Sequence, residues 1–162
     1  MQKAVPLFAV VFAAALTLLG CGAFVDRLPS GQIPDPSPQD KFVTVDGIRI
    51  HYQEWENPGE DVVLIHGYAS STYTWKDVAP VLADHGYHVY AVDLKGFGWS
   101  DKPGDDRYAP EDFMECVNSW MDAVGLESAV LAGNSMGGFI SALMALEHPE
   151  KVEQLILVDA AG

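Results

Sequence analysis

Residues 41–162 combine two hydrophobic periods, and each period predicts a different kind of element. Short runs rich in Val, Ile and Leu predict strands, whereas apolar residues repeating every three or four positions predict helices. Six strands are predicted, at Phe42–Val45, Ile48–Trp55, Val62–Ile65, Val89–Leu94, Ala129–Ala132 and Leu155–Val158. Helices are predicted from Trp75 to about Asp84, from Pro110 to near Gly125, and over Met136–Glu147.

The order of these elements predicts an α/β protein with a mainly parallel sheet and helices on both faces. The Val62–Ile65 run does not alternate with polar residues, which is typical of a strand buried on both faces. Asp46-Gly47 between the first two strands is a strong hairpin signal. The Met136–Glu147 helix is apolar almost all round, so we expect it to be buried in a larger body.

The first forty residues have a different character and are not expected to contribute to the fold. Lys3 precedes the apolar run Ala4–Leu19, so residues 1–20 are interpreted as an export signal, with an uncleaved membrane anchor as the alternative. Leu18-Leu19-Gly20-Cys21 resembles the lipobox of bacterial lipoproteins, which implies a lipidated Cys21 and membrane anchoring in the bacterial cell envelope. Residues 21–40 contain four prolines among polar residues and are predicted to be a semi-extended tether.

Charge and cysteine content narrow the range of partners. The net charge of −14 argues against nucleic acid, because phosphate binding needs clustered Lys and Arg. If Cys21 is acylated, Cys116 has no disulfide partner, and its place on a helical apolar stripe predicts a buried small hydrophobe. No metal or cofactor motif is visible, and no pattern specifies the oligomeric state.

The segment Gly133-Asn134-Ser135-Met136-Gly137 connects a predicted strand directly to a predicted helix. In a G-x-S-x-G turn of this kind, the serine occupies a strained conformation that lifts its Oγ clear of the sheet. The residues two positions away must be small so that helix and strand can approach each other. The following helix also directs its positive end at the place where an oxyanion would develop. These features predict that Ser135 is a catalytic nucleophile.

Two further segments have the same spacing as motifs of a known family. Ile65-His66-Gly67-Tyr68 resembles the H-G-x oxyanion loop of the α/β-hydrolase superfamily, and residues 93–103 resemble its D-x-x-G-x-G-x-S-D-x-P loop. The resemblance implies an oxyanion hole formed by the backbone N–H groups of Tyr68 and Met136. A serine at position 135 implies a small-molecule acyl substrate, such as an ester, since family members that open epoxides or remove halides carry aspartate there.

The resemblance also implies a carboxylate and a histidine that complete a triad with the serine, in the order Ser, acid, His. Asp159 is a candidate acid because a minority of the family carry it after the sixth strand, although the plainer interpretation is a residue at the rim of the site. His148 is expected to lie roughly 18 Å from Ser135 along the helix, which is too far for it to act as the base. His51, His85 and His88 are expected to have surface or packing roles, and His66 is a remote candidate for a substitute base.

Two interpretations remain open at this point. In the first, residues 41–162 are the N-terminal part of a lipid-anchored serine hydrolase that is truncated after the sixth strand, which would leave that strand uncovered. In the second, the chain is a complete, non-catalytic binding module or a gene remnant. The uncovered sixth strand favours the first interpretation.

Overall fold

The computed structural model describes residues 36–161. The predicted signal peptide, Cys21 and most of the predicted tether lie outside the described residues. Asp40, which the sequence placed at the end of the tether, is instead the first residue of a strand and pairs with Gln53. The folded region therefore begins one residue earlier than predicted, because a polar residue can extend an edge strand when its side chain has hydrogen-bonding partners.

A six-stranded sheet forms the centre of the molecule, as predicted. Its spatial order is β1-β2-β4-β3-β5-β6. The β1–β2 and β2–β4 pairs are antiparallel, and the remaining three pairs are parallel. The strands are β1 (Asp40–Val45), β2 (Ile48–Trp55), β3 (Asp61–Ile65), β4 (His88–Val92), β5 (Ala129–Asn134) and β6 (Val152–Val158).

Three helices cover the two faces of this sheet. They are α1 (Ala79–Asp84), α2 (Pro110–Val124) and α3 (Met136–Glu147). Side chains of β3 alternate between the faces, so that Val63 and Ile65 join the core under α2 and α3 while Val62 and Leu64 join the core on the face of α1. The predicted two-sided burial of β3 is therefore confirmed.

The residues at the two ends of α2 explain where this helix begins and ends. Pro110 begins the helix, where a missing N–H costs no hydrogen bond, and the side chain of Asp112 accepts a hydrogen bond from the N–H of Ala109 at 3.0 Å. Gly125 ends it with a left-handed φ of 84°. Cys116 lies half-buried against the core, and burial raises the pKa of its thiol.

Several predicted boundaries are wrong, and three of them have a local physical explanation. The α1 helix starts at Ala79 rather than Trp75, because Pro80 cannot occupy a helix interior and is tolerated only in the first turn; residues Thr72–Trp75 form a separate 3₁₀ turn. Strand β4 ends at Val92, since the next residue, Asp93, turns its carboxylate towards loop amides. Strand β6 starts at Val152 rather than Leu155, since Val152 and Gln154 already pair with β5 although Glu153 and Gln154 are exposed.

The outer edge of the sheet at β6 carries exposed apolar side chains. Within the described residues, β6 pairs only with β5. Ile156 is 40% exposed and Val158 is 38% exposed. No helix among residues 36–161 covers this outer edge. Across residues 36–161, none of the helices combines the length and apolar character needed to cross a bilayer.

Candidate active site

Ser135 lies in the turn between β5 and α3, in a conformation that few non-glycine residues adopt. Its φ is 51° and its ψ is −118°. Such a backbone is strained by roughly 1–3 kcal/mol, and strain of this kind concentrates at functional sites. The preceding strand is buried over Ala129–Gly133, whereas Ser135 itself is half-buried. The chain thus emerges from a buried strand at the turn that contains Ser135.

The glycines two positions either side of Ser135 are required by close packing, as predicted. A Cβ atom added to Gly133 would lie 2.2 Å from the carbonyl oxygen of Gly137. A Cβ atom added to Gly137 would lie 2.2 Å from the carbonyl oxygen of Ile65 in β3. Contacts this short do not occur, so any larger residue at either position would push α3 away from the sheet.

Backbone hydrogen bonds hold the turn on its other side. The N–H of Ser135 donates to the carbonyl oxygen of Val158 at 3.1 Å. The carbonyl oxygen of Ser135 accepts from Gly138 at 2.9 Å and from Ala161 at 3.0 Å. Ser135 is therefore fixed both to its own helix and to the segment that follows β6.

The loop after β3 lies directly against Ser135. A Cβ atom added to Gly67 would lie 3.2 Å from the Cβ atom of Ser135. Tyr68 follows, with a side chain that is 75% exposed and whose ring centroid lies 5.7 Å from that of Phe97. Within residues 36–161, the N–H groups of Tyr68 and Met136 donate to no backbone or side-chain acceptor. The fold therefore brings the loop that contains Tyr68 next to the turn that contains Ser135 and Met136.

Asp159 lies beside this turn through its backbone. It follows Val158, whose carbonyl oxygen holds the N–H of Ser135, and it has a left-handed φ of 48°. Asp159 is exposed. The structure places this candidate acid at the rim of the site, next to a strained turn of its own.

His66 is buried with both ring nitrogens occupied. Its Nδ1–H donates to the carbonyl oxygen of Gly67 at 2.7 Å, and its Nε2 accepts from the N–H of Leu94 at 3.0 Å. Burial lowers the pKa of His66, although the bond to Gly67 and the charge of Asp93 partly oppose this effect. A neutral ring without a free nitrogen cannot take the proton of Ser135, so the remote candidacy of His66 as a base is not supported by the geometry.

The other histidines are not placed to act on Ser135 either. His148 ends α3 and faces Glu115 and Glu150 at 3.7 Å each. His85 follows α1 and His88 begins β4, so both lie near the amino end of β4, whereas Ser135 follows the carboxyl end of the parallel strand β5. His51 is buried and hydrogen-bonded to Asp93 and Asp40, so of the two expected roles it has a packing role rather than a surface role.

Two aspartates, Asp93 and Asp101, fix the loop over residues 93–103. The Asp93 carboxylate accepts from the N–H of Thr72 at 2.7 Å and from that of Trp99 at 2.8 Å. Asp101 accepts from the N–H of Arg49 at 2.8 Å. Gly98 has a φ of +50°, and an added Cβ would lie 2.0 Å from Asp93 Oδ2, so this loop also requires glycine.

Sequence reasoning missed the partnership of Asp93 with His51, whose Nδ1 and Asp93 Oδ2 lie 2.7 Å apart. In the sequence, the only sign of this pair was a histidine at position 51, inside the strand predicted over Ile48–Trp55. Among residues 36–161, no three His, Cys, Asp or Glu side chains converge in an arrangement suited to a metal ion.

Comparisons with known proteins agree with this architecture. The profile of the family described as alpha/beta hydrolase fold matches residues 62–161. An uncharacterized hydrolase of Bacillus subtilis is 36% identical over 127 residues, which cover 78% of this chain and 46% of the relative. Bifunctional epoxide hydrolase 2 of Rattus norvegicus is 36% identical over 132 residues, or 78% of this chain and 24% of that protein.

Among solved structures, a membrane phospholipase A described as a bacterial virulence factor superposes with a TM-score of 0.73. It is 41% identical, and the match covers 76% of this chain and 40% of that structure. The chain thus spans less than half the length of the relatives named here.

Proposed function

Because the chain belongs to the α/β-hydrolase fold family, we propose that Ser135 is the nucleophile of a serine hydrolase that acts on an ester or related acyl substrate. The strained backbone of Ser135, with φ 51° and ψ −118° between two obligatory glycines, is the observation that carries this proposal. A serine that only packed in a core would not require such a conformation.

In the proposed reaction, the Oγ of Ser135 attacks the acyl carbonyl carbon while a base removes the hydroxyl proton. Negative charge then develops on the carbonyl oxygen. The N–H groups of Tyr68 and Met136 stabilise that oxyanion, helped by the positive end of α3. The tetrahedral intermediate collapses, the alcohol leaves with a proton, and water hydrolyses the acyl-serine in a second, similar step.

The base is the part of this mechanism that the chain does not supply, because none of its five histidines is placed to reach Ser135. A complete triad therefore needs a histidine beyond these five. Asp159 is retained as a candidate for the acid that would orient it, on the basis of its position beside Val158 at the rim of the site.

Lipid acyl esters are the substrate class that we favour. The membrane phospholipase A is 41% identical to this chain, and the exposed ring of Tyr68 offers apolar surface on the loop next to Ser135. A serine rather than an aspartate at position 135 favours acyl transfer over the epoxide chemistry of the rat relative. Export and lipidation at Cys21 would place the protein on a bacterial envelope membrane, where such lipids are found.

Covalent labelling tests the nucleophile without requiring a complete triad. The chain is incubated with an alkyl fluorophosphonate, with and without added imidazole as a diffusible base, and the modified serine is located by peptide mass spectrometry. We expect labelling at Ser135 that imidazole accelerates and that Ser135→Ala abolishes. Ser128→Ala is the matched control, since Ser128 lies at the opposite end of β5 and binds Glu153. Equal labelling of all three proteins would instead favour a non-catalytic binding module.

A further inference from the structure

His51 in β2 lies between two carboxylates from different parts of the chain. Its Nδ1 is 2.7 Å from Asp93 Oδ2, and its Nε2 is 3.1 Å from Asp40 Oδ1. All three side chains are at most 3% exposed. The rings of Phe42 and Trp99 lie 5.0 Å and 4.9 Å from the imidazole, measured between centroids. Two aromatic rings therefore flank the imidazole.

The number of hydrogen atoms in this cluster is constrained by its geometry. A neutral imidazole donates from one nitrogen only, whereas here both nitrogens face carboxylate oxygens. Asp93 already accepts from the N–H groups of Thr72 and Trp99, and Asp40 accepts from Gln53 at 2.8 Å. These donors favour ionised carboxylates, so the proton shared by the cluster resides on the imidazole.

Other charged groups near the cluster do not change this assignment. The same three side chains border a cavity of about 440 Å³ that Lys76 also lines, but the ammonium of Lys76 pairs with Asp77. The guanidinium of Arg49 stacks on the ring of Phe42, with its Cζ atom 3.7 Å from the ring centroid. Burial alone would raise the pKa of Asp40, yet the bonds from Gln53, Ser37 and His51 lower it.

Asp93 connects this cluster to the loop that follows β3. Its Oδ1 holds the N–H of Thr72, at the far end of residues 67–72. The next residue, Leu94, holds the near end through its bond to His66, which in turn bonds Gly67. Ala69, between these two anchors, has a left-handed φ of 52°, so the loop needs both anchors to keep its strained shape.

We propose that His51 is a positioning residue that carries a proton on both ring nitrogens, holds Asp93 in place, and through Asp93 fixes the loop over residues 67–72. The importance of this loop for catalysis rests on the proposed function, since Tyr68 is proposed to stabilise the oxyanion. The physical connection from His51 to Thr72 does not depend on that function.

Nuclear magnetic resonance of the unmodified chain gives the most direct test. We expect Nδ1–H and Nε2–H signals from His51 at about pH 6.5, where an exposed histidine is only half protonated. Detection of a single ring proton on His51 at this pH would overturn the proposal. This measurement needs no variant and no catalytic activity.

Amide hydrogen exchange tests the connection to the loop. In His51→Gln, we expect the amides of Thr72 and its neighbours to exchange about tenfold faster or more, since a charge-assisted anchor is lost. Leu131 in β5 should be unaffected.

His85→Gln is the matched control, because His85 is exposed and lies outside the cluster. Unchanged exchange at Thr72 in a folded His51→Gln chain would refute the positioning role. If Ser135 resists the fluorophosphonate while the loop responds to His51, the proposed function fails and this inference stands. The reverse pair of results would remove the inference and leave the nucleophile in place.

Discussion

Gly137 in α3 and Ile65 in β3 approach each other so closely that a Cβ atom on Gly137 would lie 2.2 Å from the carbonyl oxygen of Ile65. This contact holds the helix that follows Ser135 against the strand that leads into the Gly67–Tyr68 loop. The distance between the two proposed oxyanion donors, the N–H groups of Tyr68 and Met136, therefore depends on glycine at position 137. Both segments are held by backbone packing, which tolerates little displacement.

Gly137→Ala should lower the free energy of unfolding by about 2 kcal/mol, because the added methyl group forces α3 away from β3. The free energy is measured by urea denaturation. Gly104→Ala is the control, since nothing lies within 4 Å of a Cβ at Gly104 and its φ is not left-handed. Equal stabilities of the two variants would show that the approach of α3 to β3 is looser than described.

Ser135→Gly should be more stable than Ser135→Ala by about 1 kcal/mol. Both variants lack the hydroxyl, but only glycine adopts φ 51° and ψ −118° without strain, and this relief exceeds the entropy that glycine loses on folding. Parallel urea denaturation of the two variants measures the difference. A less stable glycine variant would mean that the turn is not strained in solution.

Acid should destabilise the protein through His66. Burial lowers the pKa of His66 below its ordinary value of 6.5. As the pH falls through that value, the unfolded chain binds a proton at His66 that the folded chain does not bind. Stability contributed by the neutral ring is therefore present above about pH 6.5 and is lost below it, down to the lower folded pKa.

Chemical denaturation of the unmodified chain and of His66→Gln at several pH values checks this prediction. His66→Gln should be less stable near neutral pH because it disturbs the two buried hydrogen bonds of the ring. The difference in the free energy of unfolding between the two proteins should become smaller as the pH falls. His85→Gln, at an exposed position, should not show this narrowing. A gap independent of pH would mean that His66 titrates alike in the folded and unfolded states.

The chain should not turn over p-nitrophenyl esters faster than its Ser135→Ala variant, because no histidine is available as a base. The rate of p-nitrophenol release by the two proteins, corrected for spontaneous hydrolysis, gives the comparison. Turnover that disappears in Ser135→Ala would contradict this prediction. It would require a base from another group near the rim, of which Asp159 is the first to examine.

The exposed edge of β6 should promote self-association of the chain. Ile156→Lys places a charge on this edge, which opposes pairing with a second strand and should reduce concentration-dependent association. Sedimentation of the chain over a range of concentrations measures the effect. Val81→Lys is the control, because Val81 is 53% exposed but lies on α1, away from the edge. Similar effects of both substitutions would indicate that net charge, rather than the edge, controls association.

Much of the fold was predictable because it depends on local patterns. Val62–Ile65 was identified as a strand buried on both faces, and Asp46-Gly47 as a hairpin turn. The start of α1 was predicted wrongly because the apolar spacing continues through Pro80 while the hydrogen-bonding pattern does not. The polar start of β6 was missed because an edge strand may expose charged side chains that a hydrophobic pattern treats as loop.

Residues that are neighbours in the chain are enough to specify the α/β architecture and the place of Ser135 in a glycine-flanked turn. Tertiary structure alone decided that Gly67 lies against Ser135, that both nitrogens of His66 are occupied, and that His51 bridges Asp40 and Asp93. These pairings join residues from separate strands, and the protonation of a histidine depends on partners and burial that only the folded chain provides.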